Sequence, residues 1–177
     1  SLECAQAINH LLGKDNLDLQ KVKLNLKEAI TSKPERFDRS WESKKRYSMD
    51  WYYPILCGVI EKNNSIERIE SRWRNFVVEG IGCKCVEEEP WVTVAESAEL
   101  VIALIASGDY IKAEEIFSWL HKWKDADNLY WTGYVYTDEA FWPIEKPTWT
   151  AAAMLLAADS LYKFTDAWEL FLKDWSK

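Results

Sequence analysis

Three short runs of this sequence are apolar on every face that a helix would have. They cover residues 55–60, 100–106 and 151–158. A helix without a polar face must be buried on all sides, and each run is much shorter than the roughly 18 residues that a membrane-spanning helix needs. The sequence therefore predicts interior helices of a multi-helix domain and no membrane span.

Other stretches are apolar on one face only, as expected of helices with one side towards solvent. They cover residues 17–30, 65–76, 110–123 and 166–175. Because these stretches alternate with the buried runs, the sequence predicts repeated hairpins of one inner and one outer helix within a single domain, 1–177. The four predicted hairpins cover approximately residues 1–31, 49–77, 93–124 and 148–175.

Long segments lead into the predicted inner helices, at residues 32–48, 78–92 and 125–147. Repeated helical hairpins either stack as an open array or close into a ring. Open arrays have short and uniform linkers, whereas long loops at one end of a helical ring suit the mouth of a pocket. The linker lengths therefore favour a closed, all-α ring.

Five segments of the chain resemble a group of bacterial proteins usually labelled prenyltransferase-like. They are 49–54 (MDWYYP), 82–85 (GCKC), 90–93 (PWVT), 130–134 (YWTGY) and 148–152 (TWTAA). The resemblance covers most of the chain and implies an all-α fold, the α/α toroid of terpenoid cyclases and six-hairpin glycosidases. Since a complete toroid has more hairpins than the four predicted here, it also implies missing N-terminal hairpins, or a shortened ring that forms a homo-oligomer to cover its open apolar side.

The reactions known for such toroids use groups that are hard to find in this sequence. The DxDD acid cluster of squalene–hopene-type cyclases is absent, and its nearest approach is Asp125-Ala126-Asp127. Protein prenyltransferases hold zinc with Asp, Cys and His, and His10 and His121 are the two histidines available here. The resemblance therefore implies a fold without identifying the reaction.

Charge and cysteine content narrow the possible partners. Lys and Arg number 22 against 29 Asp and Glu, a net charge of −7 that argues against nucleic acid as a partner. Cys83 and Cys85 are separated by one residue, closer than the about two to four that structural zinc pairs prefer. No signal peptide is visible, and the cysteine pattern is typical of a reducing compartment. We expect a cytoplasmic protein with no bound metal and no cofactor.

Eleven tryptophans provide many flat ring faces. Such rings pack helix interfaces, stack on sugar rings or hold an apolar chain. In a toroid the N-terminal ends of the inner helices converge at the pocket, so aromatic and charged residues near those ends are the predicted ligand contacts. The predicted substrate-binding residues are Arg46, Trp51, Tyr52, Tyr53, Trp91, Trp131, Tyr134, Trp142 and Trp149.

Three carboxylates lie near the same helix ends, at Asp50, Glu96 and Glu145. A glycoside hydrolase needs one protonated carboxyl as general acid and one carboxylate as base or nucleophile. We assign Asp50 as base and Glu96 as acid, because the apolar neighbours of Glu96 would desolvate it and raise its pKa. The alternative is that the helix dipole alone favours acidic residues at these positions.

Three hypotheses about function follow. The preferred one is a small-molecule pocket that binds or processes a carbohydrate by acid–base chemistry. The second is an enzyme acting on an isoprenoid or lipid-linked substrate, with aromatic faces holding the apolar chain or a carbocation. The third is a helical scaffold without catalytic activity, in which the aromatic residues belong to the core.

Overall fold

The computed structural model describes residues 8–9, 11–13, 17–36, 38, 42–60, 62–169 and 172. The chain divides into two compact units. The smaller, Ser1–Ser43 with Asp174–Lys177, contains helix α1 (Leu17–Ser32) and a 3₁₀ turn at Pro34–Arg36. Cys4 and His10 lie outside the described residues, as do parts of the predicted hairpins at 1–31 and 148–175.

The larger unit, Lys44–Lys173, contains the remaining helices and a sheet. Its α-helices are α2 (Ser48–Leu56), α3 (Lys62–Phe76), α4 (Val94–Ser107), α5 (Tyr110–Leu120) and α6 (Thr148–Tyr162). Short 3₁₀ turns cover Lys44–Arg46, His121–Trp123 and Asp166–Glu169. None of the helices within the described residues has both the length and the apolar character needed to cross a bilayer.

Helix α4 is the centre of this unit. Eleven of its fourteen residues are buried, as expected from the apolar run at 100–106. It packs against α2, α5, α6 and the sheet. The helix ends where Gly108 adopts the left-handed conformation, with φ at 89°, a backbone geometry that glycine reaches without steric strain. Burial on all faces of α4 thus organises the core.

The sheet contains five antiparallel strands in sequential order. They are β1 (Val77–Val78), β2 (Gly82–Lys84), β3 (Trp91–Thr93), β4 (Gly133–Val135) and β5 (Ala140–Phe141). Strand β3 runs directly into α4 and pairs with β4, although α4 and α5 lie between them in sequence. The register places Trp91 opposite Val135 and Thr93 opposite Gly133. The pairing of β3 with β4 therefore brings the segment that follows α5 back to the start of α4.

The prediction of an all-α fold, and with it the all-helical α/α toroid of four hairpins, is wrong. The strands fall in or beside the segments 78–92 and 125–147, which the sequence analysis treated as linkers. Each strand has only two or three residues, too few for the alternation of apolar and polar residues by which strands are recognised. Three of the pairings join strands that are close in sequence, β1 with β2, β2 with β3 and β4 with β5, whereas β3 pairs with the distant β4. Strand formation in such short segments depends on the packing around them, which the local sequence does not show.

Candidate functional site

A cleft of about 340 Å³ opens between helices α2, α4 and α6. Most of the side chains in its wall are apolar, and Glu99 supplies a carboxylate. The lining residues are Tyr53, Leu56 and Cys57 from α2 and its C-terminal end, Ala95, Glu99 and Ile102 from α4, and Trp149, Ala152, Ala153 and Leu156 from α6. We refer to this feature as the α4 cleft. Its shape and mixed lining are typical of sites that bind small molecules.

Two tyrosine hydroxyls hold the carboxylate of Glu99. Tyr52 Oη donates a hydrogen bond to Glu99 Oε2 at 2.7 Å, and Tyr53 Oη donates to Glu99 Oε1 at 3.3 Å. Burial raises the pKa of Glu99, the hydrogen bond from Tyr52 opposes that rise, and the negative charge of Glu96 adds to it. Glu99 is therefore a fixed carboxyl group in apolar surroundings that binds its proton more tightly than an ordinary glutamate.

Glu96 adjoins Glu99 but is not among the residues lining the α4 cleft. Its Oε2 atom is fully buried and has no hydrogen-bond partner among the described residues. It also interacts with Cys85, whose pKa is raised to about 12 by burial and then by the charge and hydrogen bonding of Glu96. The structure therefore brings Glu96 beside a second acid, Glu99, which the sequence analysis did not select.

The other predicted polar residues lie elsewhere. Asp50 is exposed in the first turn of α2, and its carbonyl oxygen accepts a hydrogen bond from Arg68 at 2.8 Å. Glu145 is exposed in the segment before α6. Arg46 forms an ion pair with Glu88. The side chains of Asp50, Glu145 and Arg46 do not line the α4 cleft, so their predicted roles remain predictions without support from this site.

The four predicted aromatic residues on α2 and α6 have different environments. Tyr53 and Trp149 line the cleft, and the Trp149 side chain is 51% exposed. Tyr52 is buried and does not line the cleft, but its hydroxyl binds Glu99, which does. Trp51 is only 1% exposed and stacks on Phe76 with 5.4 Å between ring centroids. Trp51 therefore belongs to the core.

The remaining predicted aromatic residues surround the sheet. Trp91 meets Trp142 edge to face, at 5.0 Å between ring centroids, and its Nε1 donates to the carbonyl oxygen of Trp142 at 2.8 Å. Trp131 stacks on Phe141 at 4.9 Å, and Tyr134 meets Phe141 edge-on at 5.6 Å. These rings pack on one another around β3–β5, away from the lining of the α4 cleft.

Glu99 was not among the predicted site residues, although the sequence contains a signal for it. Glu96 and Glu99 are the two charged residues of α4, whose other residues are mostly buried and apolar. A charge in such a helix must be paired or must face a cavity, because burying it alone is costly. The tyrosine partners lie on another helix, and their convergence on Glu99 depends on the packing of α2 against α4.

The three described cysteines should differ sharply in reactivity, because the thiolate is the reactive form and must be accessible. Cys57 is exposed at the cleft, whereas Cys83 and Cys85 are buried. Burial raises the pKa of Cys57, and it raises the pKa of Cys83 far more. In a Cys4→Ser background we expect a maleimide to label Cys57 at least about tenfold faster than Cys83 or Cys85.

Peptide mass mapping of the native chain after timed labelling measures these rates. The same mapping after denaturation is the control, in which all three thiols should react. Equal labelling of Cys83 and Cys57 in the native chain would contradict the described burial.

No protein-family model matches the chain. The chain is similar to a protein of Mycolicibacterium hassiacum named MMP endo-(1,4)-3-O-methyl-alpha-D-mannosidase. The two are 45% identical over 165 residues, which cover 93% of this chain and 45% of the relative. The chain thus spans less than half the length of that relative. The name of this relative is that of a glycosidase, and glycosidases are one of the protein classes to which the sequence analysis found a resemblance.

Proposed function

We propose that the α4 cleft binds a (1,4)-linked mannoside carrying O-methyl groups, and that Glu99 donates a proton to its glycosidic oxygen. The observation that carries this proposal is a tyrosine-held carboxyl group in a mostly apolar cleft that also contains an exposed tryptophan. The relative's name supplies the substrate class. The proposal keeps the carbohydrate interpretation of the sequence and moves the acid from Glu96 to Glu99.

The lining of the cleft suits a methylated sugar better than an ordinary one. A methyl ether removes a hydrogen-bond donor and adds apolar surface, and the walls from α4 and α6 are largely alanine, isoleucine and leucine. The face of Trp149 can stack on the C–H groups of a pyranose ring. Glu99 and Tyr53 supply the polar atoms that orient the remaining hydroxyls.

Glu99 has the properties of a general acid. Such a group must hold its proton at the working pH and release it as the glycosidic C–O bond breaks. Burial and the charge of Glu96 both raise the pKa of Glu99. When the proton moves to the glycosidic oxygen, the resulting Glu99 carboxylate is stabilised by the hydroxyls of Tyr52 and Tyr53.

Hydrolysis also needs a second carboxylate, as base or nucleophile. Among the described residues that line the cleft, Glu99 is the one carboxylate. We therefore propose that this chain supplies the binding cleft, the acid and a second carboxylate from outside the described lining. Asp50, Glu96 and Glu145 remain the candidates for the second group within this sequence.

Trp149→Ala is expected to weaken binding of a (1,4)-linked 3-O-methylmannose oligosaccharide by at least about fivefold, since stacking on an aromatic ring contributes about 1 kcal/mol beyond the buried area. Titration calorimetry measures the affinity, and the rise in melting temperature with ligand provides a second readout. Tyr110→Ala is the matched control, because Tyr110 is also an exposed aromatic residue but lies outside the cleft. We expect Tyr110→Ala to bind like the wild type.

The same titration tests the competing functions. Stabilisation by a prenyl diphosphate, with no response to the methylated sugar, would overturn the proposal in favour of an isoprenoid site. A well-folded chain that binds neither ligand would favour the scaffold interpretation. An unmethylated mannose oligosaccharide that binds as tightly as the methylated one would remove the argument from the apolar walls.

A further inference from the structure

We propose that a second cleft, on the opposite face of α6, is a separate binding site for an uncharged saccharide unit. This inference deepens the proposed function, on which it rests for the type of sugar. The second cleft has a volume of about 430 Å³ and lies among α5, α6 and the segment that follows the 3₁₀ turn at His121–Trp123. Helix α6 turns Trp149 and Ala153 towards the α4 cleft, and Met154 and Ala158 towards the second cleft.

Aromatic rings form one wall of the second cleft. Phe117 meets Tyr162 edge to face at 6.0 Å between ring centroids, and Tyr162 meets Phe164 at 5.7 Å. The side chain of Tyr162 is 47% exposed and that of Phe164 is 73% exposed, so their ring faces are accessible. Aromatic faces left open in a cleft provide the stacking surface that pyranose rings use.

Three uncharged polar groups lie in the same cleft, on His121, Asn128 and Tyr130. His121 Nδ1 and Tyr130 Oη are hydrogen-bonded at 3.2 Å, which leaves the other imidazole nitrogen for a ligand. Burial, and then the charge of Lys124, lowers the pKa of His121 and favours its neutral form. Imidazole, phenol and amide groups match the mixed donors and acceptors of sugar hydroxyls.

The position of Asn128 is defined by the backbone. This residue has a positive φ of 63°, which asparagine tolerates better than most residues, and its N–H donates to the carbonyl oxygen of Asp125 at 3.1 Å. This turn places Asn128 among the residues that line the cleft. No Lys, Arg, Asp or Glu is among the described lining residues, which disfavours a phosphate, a nucleotide or an acidic peptide as the ligand.

Titration calorimetry of the 177-residue chain with a (1,4)-linked 3-O-methylmannose disaccharide tests this inference. We expect the wild type to bind at two sites, Trp149→Ala to lose the one in the α4 cleft, and Tyr162→Ala to lose the other or weaken it at least about tenfold. Asn128→Gly should also weaken the second site, and it accommodates the positive φ without disturbing the aromatic wall. Tyr110→Ala is the matched control, because Tyr110 is 49% exposed and lines neither cleft.

The outcomes separate this inference from the proposed function. A single site that is lost in Trp149→Ala and unaffected by Tyr162→Ala and Asn128→Gly would overturn the second site and leave the proposed function standing. A single site that responds only to Tyr162→Ala and Asn128→Gly would support the second site and count against binding in the α4 cleft. Absence of binding in the folded wild type would overturn both.

Discussion

Replacing Glu99 by glutamine is expected to lower the rate of glycoside cleavage about a thousandfold, the typical contribution of a general acid. Glutamine has nearly the same shape, and its amide oxygen can still accept the hydrogen bond that Tyr52 donates to Glu99. It cannot release a proton to the glycosidic oxygen. The fold and the affinity for the methylated oligosaccharide should therefore change little while cleavage is lost.

The measurement is the release of reducing sugar ends from a 3-O-methylmannose oligosaccharide by the 177-residue chain. Glu114→Gln is the matched control, because Glu114 is an exposed glutamate of α5 outside both clefts. The wild-type rate should also fall as the pH rises through the pKa of Glu99, since only the protonated acid is active, and this fall should come at a higher pH than for an ordinary glutamate. Wild-type cleavage by Glu99→Gln would show that another group is the acid.

Gly82→Ala is expected to lower the free energy of unfolding by about 3 kcal/mol through strain and overpacking. Gly82 has a φ of 145°, a conformation that residues with a side chain rarely adopt. An added Cβ would lie 2.7 Å from Ser97 Oγ and 2.8 Å from Val92 Cγ1. Ser97 has little freedom to move, because its hydroxyl accepts a bond from the N–H of Cys83 and donates one to the carbonyl oxygen of Thr93.

Gly80→Ala separates backbone strain from crowding. Gly80 also has a positive φ, 69°, but an added Cβ there would meet nothing within 4 Å. In Gly80→Ala, the free energy of unfolding should therefore fall only by the cost of placing alanine in a left-handed conformation, about 1 kcal/mol. Urea unfolding followed by tryptophan fluorescence compares the two variants. If both lost the same stability, close packing between β2 and the start of α4 would not be the cause.

The helices with strong patterns were predicted to within a few residues. The sequence predicted a hairpin at 93–124 with its outer helix at 110–123, and the structure has α4 at Val94–Ser107 and α5 at Tyr110–Leu120. Gly108 marks the end of α4. The helical spacing of apolar residues begins again after Gly108 and marks the start of α5. The five short strands had no comparable pattern, so the all-α prediction failed both at the local pairings and at the distant pairing of β3 with β4.

Two of the residues that the sequence predicted to bind substrate lie in the α4 cleft, whereas the carboxylate in that cleft, Glu99, was not among the predicted residues. Tyr53 and Trp149, selected for their positions near helix starts, both line the α4 cleft, whereas Trp51 is buried against Phe76. A position near a helix start does not distinguish Trp51 from Tyr53 and Trp149. The packing of neighbouring helices decides which of these side chains are buried and which line the cleft. Glu99, near the middle of α4, fell outside that criterion.

The sequence by itself determined that α4 is buried, because its apolar run has no polar face to turn towards water. The same rule was wrong for the run at 151–158, since Leu155 of α6 is 71% exposed, and for the run at 55–60, since α2 ends at Leu56. The sequence also determined an abundance of aromatic faces and an acidic net charge, which are properties of composition. Only the tertiary structure decided that a sheet joins distant segments and that two tyrosines of α2 bind one carboxylate of α4. The spacing of apolar residues along the chain indicates where helices form. Which side chains of different helices and strands come into contact depends on how those elements pack together.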